Sequence, residues 1–424
     1  MIRTLSHLPD VPDTSAPLAS WLVWLETIHP VSIDMGLDRV GRVADRLSLR
    51  PANCPLVLVG GTNGKGSTVA MLAAIYRAAG YRVGAYTSPH INDFRERIRI
   101  NGEMADEREV VEALAFVEAG RTPDTLTYFE YTTLAAMHVF NRAQCDVCLL
   151  EVGLGGRLDA TNLWDADCSV VTSIALDHED YLGSDIRVIA TEKAAIGRSG
   201  KSLVVGDIEP PASLFTYAAD AGMQVNHVGK LPLEQLPVTN LQGDHQRRNA
   251  ACAAAVVETL LDRLPVSQDV LKAALLTIGM TARFEQIERH GLTVILDVAH
   301  NPAGAAMVCH TWQQVFGTRR AQIVFAALAD KDLKGIVTAL DPVAAHWHCL
   351  QLDGARAMPL EDLVTLVQSV SQQAVDRYDS AAEAWQAASS AASDATGLVL
   401  VAGSFHTIAS LHEVLNCVQA PSHE

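Results

Sequence analysis

The segment Val59-Gly60-Gly61-Thr62-Asn63-Gly64-Lys65-Gly66-Ser67-Thr68 brings together the residue types that phosphate chemistry needs. Its glycines let backbone N–H groups converge on phosphate oxygens. Lys65 can reach terminal phosphates, and Ser67 or Thr68 can approach a magnesium ion. An apolar run, Leu56–Val59, precedes the segment, and a helical pattern, Ser67–Ala79, follows it. The spacing departs from a regular Walker A loop: Val59 stands at the first glycine position, and Gly66 separates the lysine from the hydroxyl. A glycine-rich turn with no nucleotide is the competing account. The coincidence of strand, lysine, hydroxyls and helix argues against it.

Other chemical residues follow strand-like runs, where α/β proteins place ligand groups. Glu151 ends Val147–Val152 and opens Gly153-Leu154-Gly155-Gly156-Arg157-Leu158-Asp159-Ala160-Thr161. A carboxylate there suits magnesium, a hard cation that prefers oxygen; a capping acid in a tight turn is the alternative. Ser173-Ile174-Ala175-Leu176-Asp177-His178 follows another run, and His178 reads as a metal ligand, a general base or a loop residue. Glu192-Lys193 lies in a helical pattern, where a lone charge is usually solvated. Arg283-Phe284-Glu285 and Asp297-Val298-Ala299-His300-Asn301-Pro302 come later, the second at a strand end. Cys145 and Cys148 form a lone CxxC, and with no second ligand pair they read as small core residues.

The elements that must position these residues alternate in type. Further strand-length runs are Ser169–Ile174, Leu203–Val205, Val294–Val298, Ile323–Ala326 and Leu398–Ala402. Further helical patterns are Glu107–Glu118, Glu130–Phe140, Gln246–Leu261, Pro302–Val315 and Phe405–Leu415. Continuous apolar strands alternating with helices predict an α/β class with a mostly parallel sheet. A fresh series begins after Gln286–Gly291, which predicts domains at 1–287 and 288–424; Lys230–Gly243 reads as an irregular excursion. With 424 residues and 49% hydrophobic content the chain can bury a large core. A net charge of −17 argues against nucleic-acid or anionic-membrane partners. The start, Met1 to Asp10, has no secretory apolar run, and the apolar run Asn249–Leu261 is too short to span a bilayer, so a cytoplasmic place is expected.

Taken together, Gly61-Thr62-Asn63-Gly64-Lys65-Gly66-Ser67, Thr87-Ser88-Pro89-His90, Glu151 to Thr161, Leu176-Asp177-His178, Glu192-Lys193, Gln246 to Asn249, Arg283-Phe284-Glu285 and Asp297 to Pro302 resemble the Mur ligase superfamily in its folylpolyglutamate synthase branch. The resemblance implies an N-terminal P-loop ATPase domain with a mostly parallel sheet and a smaller Rossmann-like C-terminal domain, with catalysis between them. It implies Thr62, Asn63, Gly64, Lys65, Gly66, Ser67, Asn249, Arg283 and Asp297 at ATP, and Ser88, Glu151 and His178 at Mg²⁺. Lys65, Lys193 and His300 would serve the reaction, the lysine at 193 being commonly carbamylated in the family. Thr127, Tyr128, Phe129, Glu130, Leu158, Asp159 and Ala160 match segments that hold the pterin in bifunctional members. Three departures stand out: Thr281-Ala282 replaces a usual Pro-Gly, Ala195 replaces a usual glycine, and Lys230–Gly243 is short.

The expected activity is a monomeric ATP-dependent ligase that joins L-glutamate to dihydropteroate and to reduced folates. A carboxylate is a poor acylating agent; phosphorylation gives an acyl phosphate with a good leaving group. Both partners are anionic, so local cations must offset repulsion inside an acidic protein. An enzyme acting on folates alone is the nearer alternative. A nucleotide-driven switch is the remoter one, and it leaves Glu151, His178, Arg283 and Asp297 unexplained.

Overall fold

The computed structural model describes residues 10–31, 33–50, 52–395 and 397–417. The segment 1–9, most of the stretch read above for a secretory signal, lies outside them, as does 418–424. The chain divides into two compact units. The first takes the described parts of Met1–Ala175, Glu179–Val238 and Arg248–Ile278; the second takes Leu176–His178, Thr239–Arg247 and the described parts of Gly279–Glu424.

In the first unit the strands are β1 (Leu56–Gly60), β2 (Val83–Tyr86), β3 (Ile98–Ile100), β4 (Glu103–Met104), β5 (Val147–Glu151), β6 (Cys168–Val171), β7 (Ser202–Val205) and β8 (Gln224–His227). Their order is β4-β3-β2-β5-β1-β6-β7-β8. All neighbours from β2 to β8 are parallel, and β3 and β4 add an antiparallel edge. β1, β5 and β6 are buried throughout, as continuous apolar runs require when helices cover both faces. Glu151 is level with Val59, and Val171 with Gly60, so three strands end together around the glycine-rich loop. Ser169–Ile174 is shorter as a strand than its apolar content suggests. Beyond Val171 the chain turns back, and Thr172 and Ser173 hydroxyls bond to Asn63.

In the second unit the strands are β9 (Glu285–Arg289), β10 (Leu292–Leu296), β11 (Ala321–Phe325), β12 (Ala344–Leu350), β13 (Ala374–Tyr378) and β14 (Leu398–Ala402). The order is β13-β12-β11-β14-β10-β9, parallel except for the β9–β10 pair. Strand β9 was not legible in the sequence: its residues alternate between half-buried and exposed, and their charges hide the periodicity. A core of Trp312, Ile323, Phe325, Ile336, Trp347, Leu363 and Leu400 fills one face of this sheet. Each such side chain contributes about 1.5–3 kcal/mol relative to exposure.

The expected helices form with modest end shifts, at Lys65–Ala78, Glu107–Arg121, Tyr128–Arg142, Asp244–Thr259, Pro302–Phe316 and Phe405–Cys417. Lys230–Gly243 contains only 3₁₀ turns. Cys145 and Cys148 are buried, and the Cys54 and Cys148 sulfurs lie 3.4 Å apart as free thiols. Among the described residues no helix is long and apolar enough to cross a membrane.

Candidate active site

The first constellation lies at the C-terminal ends of β1, β5 and β6. Helix Lys65–Ala78 starts at Gly64, whose φ of +90° suits glycine, and a Cβ there would stand 2.5 Å from Asn249 Oδ1. Asn249, from helix Asp244–Thr259, is thereby packed onto the loop. Thr62 donates its N–H to Ser173 O at 2.7 Å, and its hydroxyl bridges Ala175 O and N. The Ser173 hydroxyl accepts from Asn63 N at 3.0 Å. Lys65 Nζ folds over its own loop, donating to Gly61 O at 3.1 Å and Thr62 O at 2.9 Å.

Lys193 arrives at the same place. It is buried near the end of helix Ile186–Ala194 and donates to Gly61 O at 3.1 Å. The reading of a lone helical charge as solvated surface thus does not describe it. Gly156 and Arg157 meet this helix at Glu192, with Arg157 Nε 3.0 Å from its carboxylate.

Glu151 is 5% exposed, and its Oε2 accepts from Ser88 N at 3.1 Å. Ser67 Oγ, in the first turn of the phosphate-loop helix, is buried and has no hydrogen-bond partner. A buried hydroxyl without a partner costs free energy unless something absent from the protein itself satisfies it. Together with the Glu151 carboxylate it provides hard oxygen donors suited to a divalent cation and phosphate. Among the described residues no three His, Cys, Asp or Glu side chains form a metal cage. Ser88 and Glu151 belong to the first unit, whereas His178 belongs to the second and has the unusual φ of +53°.

The segment expected to hold substrate starts helix Tyr128–Arg142 with a capping box: Thr127 N donates to Glu130 Oε2 and Glu130 N to Thr127 Oγ1. Glu130 is buried and forked by Arg39, at 2.9 and 3.0 Å from one guanidinium nitrogen. Arg39 also holds Asp34 at 2.6 Å, and Asp34 faces His29. Phe129 is half-buried; its ring lies 5.8 Å from that of Tyr86, and a Cβ on Gly153 would stand 2.6 Å from it. Asp159 is buried, with one oxygen taken by Thr161 N and Oγ1 and the other by Leu154 N. It caps the turn Ala160–Leu163, and Leu158 beside it is half-buried. Burial pushes the Asp159 carboxyl up, against those hydrogen bonds.

The second constellation gathers at the C-terminal ends of β10, β11 and β14. Asp297 accepts from Phe284 N at 2.8 Å and Ala299 N at 2.9 Å. Burial raises its carboxyl, with Arg283 working in the opposite direction. Ala282 and Phe284 have φ of +55° and +50°, so Arg283 sits between two left-handed residues, and its guanidinium lies over the Phe405 ring. Ala282 therefore adopts the backbone that a glycine would favour, and the replacement of Pro-Gly leaves that conformation in place. His300 Nδ1 donates to Val298 O at 3.0 Å, which turns Nε2 toward Asp177 Oδ2 at 3.5 Å.

Asp177 is the hub of this group. It accepts from Lys331 Nζ at 2.6 Å and Asn301 Nδ2 at 3.1 Å. Burial opposes its charge, but the His300 hydrogen bond and the charges of His178, His300 and Lys331 prevail and hold its carboxyl well below the usual range. Sequence reasoning quoted Asp177 and Asn301 inside motifs without assigning them work. It missed Lys331 and Arg39; the first had a legible signal, the run Asp330-Lys331-Asp332 shortly after a strand.

The comparisons agree with this architecture. The Mur ligase middle domain matches residues 59–230, and the Mur ligase glutamate ligase domain matches 282–405. The chain is 41% identical to the dihydrofolate synthase/folylpolyglutamate synthase of Escherichia coli (strain K12), over 96% of this chain and 97% of that one. It is 34% identical to the Haemophilus influenzae protein of the same name, over 95% and 98%. The structure of E. coli FolC in complex with DHPP and ADP superposes with a TM-score of 0.88 at 38% identity, covering 96% of this chain and all of the other. The bifunctional folylpolyglutamate synthase/dihydrofolate synthase of Yersinia pestis, complexed with AMPPNP and Mn ion, gives 0.86 at 38% identity, covering 96% of this chain and 100% of that one. Two Mur ligase domains in order, and relatives aligned nearly end to end, place this chain in the dihydrofolate synthase/folylpolyglutamate synthase family of Mur ligases.

Proposed function

We propose that this chain is an ATP-dependent ligase that joins L-glutamate to dihydropteroate, forming dihydrofolate, and to reduced folates, forming polyglutamates. The observation that carries the reading is the loop 60–67, on which Lys65, Lys193 and Asn249 converge beside an unsatisfied Ser67 hydroxyl. Thr62, Asn63, Gly64, Lys65, Gly66 and Ser67 would cradle the phosphates of ATP, with Asn249, Arg283 and Asp297 contributing further contacts. Ser88, Glu151 and His178 would hold a divalent ion, Mg²⁺ in our reading. That ion would offset phosphate charge when bound.

In the first step the acceptor carboxylate attacks the γ-phosphorus and ADP leaves, giving an acyl phosphate. Lys65 offsets the charge that builds on the transferring group, and the helix start adds its dipole. In the second step the glutamate amine attacks the acyl carbon and phosphate leaves. His300, its ring oriented by Val298 O, would sit near ATP or the incoming amino acid. If Lys193 is carbamylated, Nζ retains one N–H, so its bond to Gly61 O survives.

Thr127, Tyr128, Phe129, Glu130, Leu158, Asp159 and Ala160 form the pterin-holding part of this reading. Functional domains at 1–287 and 288–424, a monomeric state and a cytoplasmic location complete it. The decisive experiment is a product assay with ATP, glutamate and either dihydropteroate or tetrahydrofolate. Product from both supports the full reading. Product from tetrahydrofolate alone leaves a polyglutamylating enzyme, and ATP hydrolysis indifferent to both acceptors would favour a nucleotide switch.

A further inference from the structure

Arg97 has no acid partner among the described residues, in a protein with 49 acidic and 32 basic residues. Its Nε donates to His90 Nδ1 at 2.9 Å, while the two terminal nitrogens of its fork meet no acceptor among the described residues. The neighbouring acids are committed elsewhere. Both Glu96 oxygens cap backbone N–H groups of Ile91, Asn92 and Asp93, and Asp93 pairs with Arg95. The guanidinium lies against two rings, 5.8 Å from the centroid of Phe94 and 5.6 Å from that of Tyr128. Those rings stand edge to face at 6.2 Å. The turn bearing Arg97 is tied to the Ser88 loop, since Thr87 N donates to Arg97 O at 3.0 Å.

A guanidinium resting on two aromatic rings and tied to His90 is pre-oriented, so little side-chain freedom is lost when it meets an anion. Its planar fork, with a free edge, matches a carboxylate in geometry. It also touches two parts of the proposed site: Tyr128 belongs to the segment expected to hold substrate, and His90 follows Ser88 by two residues.

We propose that Arg97, seated on His90, Phe94 and Tyr128, binds a carboxylate of the acceptor substrate. This rests on the ligase reading given above. Two carboxylates share the chemistry: the reacting one, which every acceptor carries, and the α-carboxylate of a glutamate already attached, which dihydropteroate lacks.

The test uses full-length enzyme with Arg97→Met, which keeps the apolar stem, and Arg97→Lys, which keeps the charge without the fork. KM and kcat are measured while dihydropteroate, tetrahydrofolate, ATP and glutamate are varied in turn, and a thermal unfolding midpoint checks folding. Arg97→Met should raise acceptor KM roughly tenfold to hundredfold, as expected for loss of a charged hydrogen bond. The KM for ATP should move by less than about twofold, and Arg97→Lys should recover part of the loss. A rise for both acceptors assigns the reacting carboxylate, and a rise for tetrahydrofolate alone assigns the α-carboxylate; either supports the proposal. Unchanged acceptor KM values in folded Arg97→Met, or a rise confined to ATP or glutamate, would overturn it. Wild-type enzyme inactive with both acceptors removes the ligase reading, and this inference with it, before any variant is compared.

Discussion

Replacing Asp177 by asparagine should destabilise the second unit by several kcal/mol, more than the reciprocal change Lys331→Met. The pair is 2.6 Å apart with both side chains only 8% exposed. Removing one partner of such a pair costs about 3–5 kcal/mol, because the other charge stays buried. Lys331→Met leaves Asp177 better provided, with Asn301 Nδ2 at 3.1 Å and His300 Nε2 at 3.5 Å still facing it. The double variant removes both charges, so it should lie closer to wild type than the sum of the two single changes, by about 1.5–3 kcal/mol. The assay is denaturant unfolding joined to hydrogen exchange in β10 and β11, because a two-unit chain need not unfold in one step. Single effects that add within about 0.5 kcal/mol would refute a coupled buried pair.

Lys65→Ala should leave the fold intact and raise the ligation barrier by about 2.7–4 kcal/mol; near-normal kcat would remove its phosphate role. Glu151→Gln should sharply increase the divalent metal concentration needed for half-maximal rate, and an unchanged metal titration would count against it. Phe129→Ala should impair dihydropteroate use more than tetrahydrofolate use, whereas equal losses with a lower unfolding midpoint would mark the ring as packing against Gly153 and Tyr86. His348 is buried, and burial, then the charge of His346, pushes its pKa down to about 4. Its neutral ring donates through Nε2 to Gln322 Oε1 at 2.9 Å and accepts at Nδ1 from the Tyr378 hydroxyl at 3.2 Å. Because the unfolded chain binds this proton near pH 6.5, the contribution is complete above that pH. About 3 kcal/mol is lost as pH falls toward 4, a slope that His348→Gln should flatten in unfolding measured across that range.

The α/β class and the main strands of both sheets were legible in the amino-acid order, because β1, β5, β11 and β14 are largely apolar and buried along their whole length, and only a sheet covered on both faces accommodates that. That order also marked the phosphate loop, since glycine, lysine and hydroxyl at a strand-to-helix junction are a local signal. It did not reveal β9, β12 or β13, whose charged and histidine residues break the apolar run. Which distant charges meet depends on the folded arrangement of the elements. Lys193 looked like surface until helix Ile186–Ala194 packed its ammonium onto Gly61 O. Lys331 is 154 positions from Asp177, and Arg39 is 91 from Glu130. No periodicity carries such pairings: they are fixed by strand order and by the need to give every buried charge a partner, and both are properties of the folded chain.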